Sequence, residues 1–126
     1  MKLSNRKILN DLNGLRNLEG KQLPVKVSYA IAKNINKLES ESKIYEKERL
    51  KRLEKYSELD QDDNIKADEN GVAIFKDGCK EQWEKDINEL MDIENDVDIH
   101  MFKLELLEGY VLSPSEIMLI EYMIEE

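Results

Sequence analysis

The sequence predicts a mostly α fold with a small β component (α+β): a long helical hairpin with a β-hairpin at its tip, a short strand and a capped C-terminal helix. Three observations predict it. Apolar residues recur at helical spacing through the first half of the chain. An Asn-Gly pair then separates two short β-prone runs, and Ser113-Pro114-Ser115-Glu116 spells out a helix start near the end. A chain of 126 residues suits one domain, 1–126, and such a length buries roughly two thirds of the surface of the unfolded chain.

Ser4 stands as an N-cap behind Leu3, and Ile8, Leu9, Leu12, Leu15 and Leu18 share a face until Gly20, which places a helix over 1–20. Pro24 sits where a first-turn proline belongs and opens a second helix over 24–58, roughly 50 Å long at about 1.5 Å per residue. Its apolar stripe is Val27, Ile31, Ile35, Leu38, Tyr45, Leu53 and Tyr56. Ser42, Arg49 and Arg52 interrupt that stripe, so the distal half is expected to project as one arm of a helical hairpin. Asp60 to Asn64 reads as a polar turn, and Asn70-Gly71 centres a β-hairpin over 64–76. Asp77 is then expected to cap a third helix over 78–93, with Trp83, Ile87, Leu90 and Met91 on one face.

Alternation of Val97, Ile99 and Met101 with Asp96, Asp98 and His100 predicts a half-buried strand over 96–101, with a partner near Tyr110 to Leu112. A helical turn around Leu104 to Glu108 ends at Gly109. The last helix, over 114–125, carries a capping box with proline at its first position and a Leu112–Ile117 staple, and should bury Ile117, Ile120 and Ile124. No internal repeat is expected.

Composition narrows the chemistry. Charged residues make up 37% of the chain and hydrophobic residues 40%, a globular balance with a highly charged surface. No run approaches the roughly 20 apolar residues of a membrane span, and the first residues lack the apolar core of a secretory signal, so a cytoplasmic protein is expected. The lone Cys79 suits a reducing compartment, and one cysteine with one histidine gives too few ligands for zinc. Charge is unevenly distributed: residues 1–56 hold 14 Lys+Arg against 7 Asp+Glu, net +7, and residues 57–126 hold 5 against 21, net −16. Such asymmetry fits an anion-binding first half, or two halves that attract each other within or between chains, and makes a homo-oligomer an expectation.

Catalytic readings fail on spacing. Asp60, Asp62 and Asn64 begin like a calcium loop, but Ile65 and Gly71 occupy positions where that loop needs glycine and a bidentate glutamate. Cys79 and His100 have no oxyanion-hole motif beside them, and no phosphate-binding loop, dinucleotide fingerprint or nucleophile elbow occurs. A non-enzyme without cofactor is the expectation. The positive signal is on the second helix. Lys26, Lys33, Lys37, Lys47, Lys51 and Lys55 fall within about 80° of one another with Tyr29 among them, away from the apolar stripe. Lys26, Tyr29, Lys33 and Lys37 therefore form the candidate site for a small phosphate-containing ligand, with Tyr29 able to stack on a base. A solvated helix face is the competing explanation. The acidic second half disfavours a long nucleic acid.

Several segments carry a likeness to known proteins: the run from Leu23 to Asn34, Tyr45-Glu46-Lys47-Glu48-Arg49, Asp68-Glu69-Asn70-Gly71, Val97-Asp98-Ile99, Leu112-Ser113-Pro114-Ser115-Glu116 and the final Met123-Ile124-Glu125-Glu126. Through them the chain resembles, over nearly its whole length, a family of small proteins of unknown function from phages and prophages of Gram-positive bacteria. The resemblance implies a phage origin and transfers no site residue. It leads to the expectation of a protein that antagonises a host process such as antiviral defence, by sequestering a nucleotide-like signal or binding a host protein. The alternative is a phage structural or assembly protein, a chaperone or adaptor.

Overall fold

The computed structural model describes residues 1–125 and bears out the mostly helical α+β class. In chain order the elements are β1 (Lys2–Ser4), α1 (Asn5–Glu19), α2 (Val25–Tyr56), α3 (Cys79–Met91), β2 (Glu94–Asp96), β3 (Phe102–Lys103), a 3-10 turn (Leu104–Leu107), α4 (Pro114–Ile120), a second 3-10 turn (Glu121–Met123) and β4 (Ile124–Glu125). They divide into two compact units, Met1–Ser42 with Glu94–Glu126, and Lys43–Ile93. The helix α2 contributes its first part to one and its remainder to the other.

In the first unit α1 and α2 supply most of the core. Ser4 caps α1 through its hydroxyl, which accepts from Lys7 N at 3.1 Å, and Ile8, Leu12, Leu15 and Leu18 are all buried. Val27, Ala30, Ile31, Ile35 and Leu38 of α2 meet them in one cluster with Val97, Phe102, Ile120 and Met123. Gly14 marks a close approach, since a methyl there would come 2.6 Å from Leu119 Cδ1. Arg16 Nε bonds Glu39 Oε1 at 3.2 Å. Lys21 Nζ lies 2.8 Å from Glu116 Oε2, and this pair holds the Glu116 carboxyl below its ordinary value, helped by the Ser113 amide.

Several expectations about this unit change. Only Glu94–Asp96 of the region around 96–101 pairs as a strand, and its partner is not Tyr110 to Leu112 but the chain start, antiparallel with Lys2 opposite Asp96 and Ser4 opposite Glu94. Val97 and Ile99 do turn inward as the alternation predicts, while Met101 stays out. The capping box at Ser113 and Glu116 is present, but the helix expected over 114–125 ends at Ile120. The chain tightens into a 3-10 turn, and Ile124–Glu125 pairs in parallel with Phe102–Lys103. Short-range periodicity does not reveal that switch, since an inward-leaning Ile124 fits a helix or a strand, and in the structure it is half-buried. Ile117 remains 43% exposed.

The second unit is the helical hairpin. Its two helices are joined by polar contacts: the Tyr56 hydroxyl donates to Asp86 Oδ2, Gln82 Nε2 donates to Asp86 Oδ1 at 2.8 Å, and Arg52 Nε stands 3.6 Å away. These contacts raise the Tyr56 hydroxyl above its ordinary value and lower the Asp86 carboxyl, the shared hydrogen bond being the main cause for both. The Phe75 and Trp83 rings pack with centroids 5.7 Å apart. Asp77 does not cap α3; Gly78, at φ 75°, precedes the helix without a side-chain cap. The expected face of α3 is only half-buried, and no α3 residue is fully buried.

The β-hairpin is present, with Ala67 opposite Ala73, but it belongs to a larger closed triangle. Leu59 pairs with Ile65, Ala67 with Ala73, and Phe75 back with Ser57, so each of three short segments touches both others. At its centre Glu58 N donates to Ile74 O (2.8 Å), Ile74 N to Lys66 O (2.9 Å) and Lys66 N to Glu58 O (2.8 Å). The spacing is eight residues, an internal repeat that the sequence reading missed. Its signal lies in the loops. Asp60 Oδ1 accepts from the amides of Asp62 and Asn64, and Asp68 Oδ1 accepts from those of Asn70 and Val72, each folding a tight turn. Asp63 (φ 62°) and Gly71 (φ 77°) take the left-handed position in the two turns.

Two tests follow from these contacts. Ser57 is fully buried at a triangle corner and its hydroxyl has no hydrogen-bond partner. Ser57→Ala should leave the thermal midpoint unchanged or raise it, because the variant no longer buries an unmet hydroxyl. For Glu116 the folded-state value is depressed, so its contribution is present at neutral pH and lost as pH falls below the ordinary 4.5 and through the lower folded value. The stability gap between the native chain and Glu116→Gln, followed by urea titration, should therefore narrow on acidification through that window.

Candidate functional site

The site begins with a polar residue in an apolar stripe. Asn34 falls between Ile31 and Ile35 on the buried side of α2 and is fully buried. A buried amide must find partners, and this one finds both on a single backbone unit: Asn34 Nδ2 donates to His100 O at 2.8 Å and His100 N donates to Asn34 Oδ1 at 2.7 Å. The side chain thus acts as a one-residue strand and pins the segment before β3 against α2. Three residues further along the helix, Lys37 Nζ donates to Asp98 O and fastens the same segment again.

Pinning residue 100 sets the imidazole against Tyr29, one turn nearer the start of α2. The two rings meet edge to face with centroids 5.7 Å apart. On the same helix face Lys33 Nζ sits 5.2 Å from the centre of the Tyr29 ring. Lys26 and Tyr29 line a hollow of about 490 Å³ with His100, Lys103, Glu105 and Glu125 as its polar walls and Met101, Phe102 and Leu106 as its apolar floor. The parallel pairing of β3 and β4 places Lys103 opposite Glu125 and so closes one side.

No family model, curated protein or solved structure matches the chain. The chemistry of the site therefore rests on its own groups. Among the described residues, Lys26, Lys33 and Lys103 form no ion pair within 4.0 Å. Lys33 over the Tyr29 ring, with Lys26 and Lys103 lining the same hollow beside Glu105 and Glu125, offers an anion ammonium groups and offers hydrogen-bond donors carboxylates. A base stacking on Tyr29 would have to displace Lys33 from the ring. An exposed contact of that kind is worth only about 0.5–1 kcal/mol, and the released ammonium would be free to meet a phosphate.

Of the four residues singled out from sequence, Lys26 and Tyr29 line the hollow and Lys33 stands on Tyr29. Lys37 is spent on the Asp98 carbonyl and does not line it. His100, Lys103, Glu105 and Glu125 were missed, because backbone pairing and the Asn34 bonds bring them in from more than sixty residues away. Asn34 was the available signal: an amide at an apolar-stripe position needs a partner from elsewhere in the chain.

A second hollow, about 560 Å³, lies within the hairpin unit between Glu48, Arg52, Lys55, Tyr56, Gln82, Asp86 and Leu90. Most of its polar groups already serve one another: Asp86 accepts from Tyr56 and Gln82, Lys55 lies over the Tyr56 ring at 5.3 Å, and Lys51 takes up Glu48 at 3.0 Å. Cys79 opens α3 in this unit and His100 belongs to the other. Among the described residues no group of three or more His, Cys, Asp or Glu side chains is placed to hold a metal ion. Among the described residues no helix is long and apolar enough to cross a membrane.

Asn34→Ala should remove both bonds to residue 100 and cost about 2–4 kcal/mol in urea unfolding, since a backbone amide and a carbonyl lose their partners. In the variant that still folds, nuclear Overhauser contacts between the Tyr29 and His100 rings should disappear.

Proposed function

We propose that the protein is a non-enzymatic binding protein whose hollow beside Tyr29 captures a small phosphate-bearing, nucleotide-like ligand. The observation that carries this reading is that Lys26 and Lys103 line the hollow with the exposed Tyr29 ring while Lys33 stands over that ring, all three without carboxylate partners among the described residues. Phosphate would be met by the ammonium groups and, at the start of α2, by backbone amides left free in the first helical turn. Glu105 and Glu125 would accept from the amino groups of a base, and Tyr29 would supply the stacking face. Ring stacking and charge pairing hold a ligand without altering it, which suits sequestration.

The resemblance to phage and prophage proteins supports the biological half of the proposal. A phage-encoded protein of this kind, acting in the host cytoplasm, would antagonise a host process such as antiviral defence by withdrawing a nucleotide signal, or by binding a host effector protein. A second reading, a phage structural or assembly protein working as chaperone or adaptor, is favoured by the hairpin unit, whose apolar residues are only partly covered. Gene order separates the two, since a place among head and tail genes fits assembly alone.

Calorimetric titration with cyclic nucleotides and ADP-ribose derivatives tests the ligand. At least one should bind, and Lys26→Ala and Lys33→Ala should each weaken it about tenfold or more, the scale of one charge-assisted hydrogen bond. Absence of binding by every compound, or affinity unchanged in both variants, removes the nucleotide reading.

A further inference from the structure

The hairpin unit is under-buried for its size. Of the hydrophobic side chains between Lys43 and Ile93 only Tyr45 and Tyr56 are buried, whereas α1 alone buries Ile8, Leu12, Leu15 and Leu18. Units of about fifty residues stand at the lower limit of what one core can stabilise, and they commonly need a staple or a partner. Apart from Ile93 at the end of the unit, the large exposed hydrophobic side chains lie in two places. On the outer face of α2, Ile44 is 60% exposed and Leu50 42%, among Lys43, Lys47, Lys51 and Lys55. On the triangle, Leu59, Val72 and Ile74 are exposed in a segment, 57–78, that holds seven acidic residues against two lysines.

We propose that these two patches are the halves of one self-association surface, the acidic triangle of one copy docking on the basic outer face of α2 in a second copy. The patches match in both respects that matter: each offers aliphatic side chains, and their charges are opposite. They cannot satisfy each other within one hairpin. Lys43 and Lys47 lie roughly 15–21 Å along the helix from where the triangle begins at Ser57, at 1.5 Å per residue. A second copy laid antiparallel brings the triangle of each beside Lys43 and Lys47 of the other. The contact is then made twice about a twofold axis and closes as a dimer. Among the described residues Lys43 and Lys47 form no ion pair of their own, so nothing must be broken for them to dock. An unrelated acidic partner would fit the helix face alone; only a second copy answers both patches together.

Sedimentation equilibrium on the full chain, with two charge-reversed variants, tests this. The native protein should be a dimer that loosens as salt is raised. Lys43→Glu with Lys47→Glu, and separately Asp62→Lys with Glu69→Lys, should each give monomers, since both reciprocal contacts then oppose like charges. All four positions are exposed, and none of their side chains caps a turn, so far-UV circular dichroism should show unchanged helix content. Mixed in equal amounts, the two variants should recover a dimer, because in the mixed pair both contacts again join opposite charges. A native protein that stays monomeric at every concentration, a dimer that survives in both variants, or a mixture that stays monomeric would overturn the proposal. Because these positions lie outside the hollow at Tyr29, the outcome is independent of nucleotide titration. Ile44→Ser with Leu50→Ser removes the aliphatic part without altering charge and should weaken the native dimer at high salt.

Discussion

A single amide in the middle of α2 organises the first unit. Asn34 has no room to remain unpaired in a core of Ile31, Ile35 and Leu38, and it is satisfied only when the backbone at His100 comes to it. Once it does, Val97 enters the core on one side and Phe102 on the other, and β3 is delivered to β4. The hollow at Tyr29 is a by-product of that docking: its helix wall comes from α2 and its far wall from the segment that Asn34 holds. Stability and binding geometry are thereby tied to the same two hydrogen bonds.

The hairpin unit is built on another principle. Its order comes from short-range backbone bonds in the triangle and from the Tyr56–Asp86–Gln82 network, with few side chains removed from water. A closed triangle leaves none of its three segments as a free edge for a fourth strand to extend, so exposed β structure is made safe without a covering helix. Local turn chemistry substitutes for a core, and the aspartates at positions 60 and 68 are its main instruments.

What the sequence disclosed depended on range. Caps, periodicity and the Asn-Gly turn are local, and α1, α2, the capping box at Ser113 and the hairpin around Gly71 all stand where those signals put them. Strand pairing is not local. Lys2–Ser4 carries no pattern announcing Glu94–Asp96 as its neighbour, and two residues at the end of the chain cannot announce a parallel partner at Phe102. The eight-residue repeat was visible in principle as Asp60 and Asp68, but its copies share turn geometry more than residue identity. Half of the site was legible because Lys26, Tyr29 and Lys33 share a helix face. The other half arrives through Asn34, whose meaning depends on a partner 66 positions away.

The arrangement of the two units along the chain bears on how the molecule reaches its folded form. The first unit is assembled from segments on either side of residues 43–93, so its core cannot close until the ends of that insert meet. Left as a random loop, about fifty residues would charge on the order of 3 kcal/mol of closure entropy against every contact between the segments. The insert's triangle closes over short sequence distances, Leu59 with Ile65 and Ala67 with Ala73, the kind of contact that favours fast folding. By doubling back at the triangle it returns the chain and acts as a splint, so that Asn34 searches for residue 100 over a much shorter effective loop.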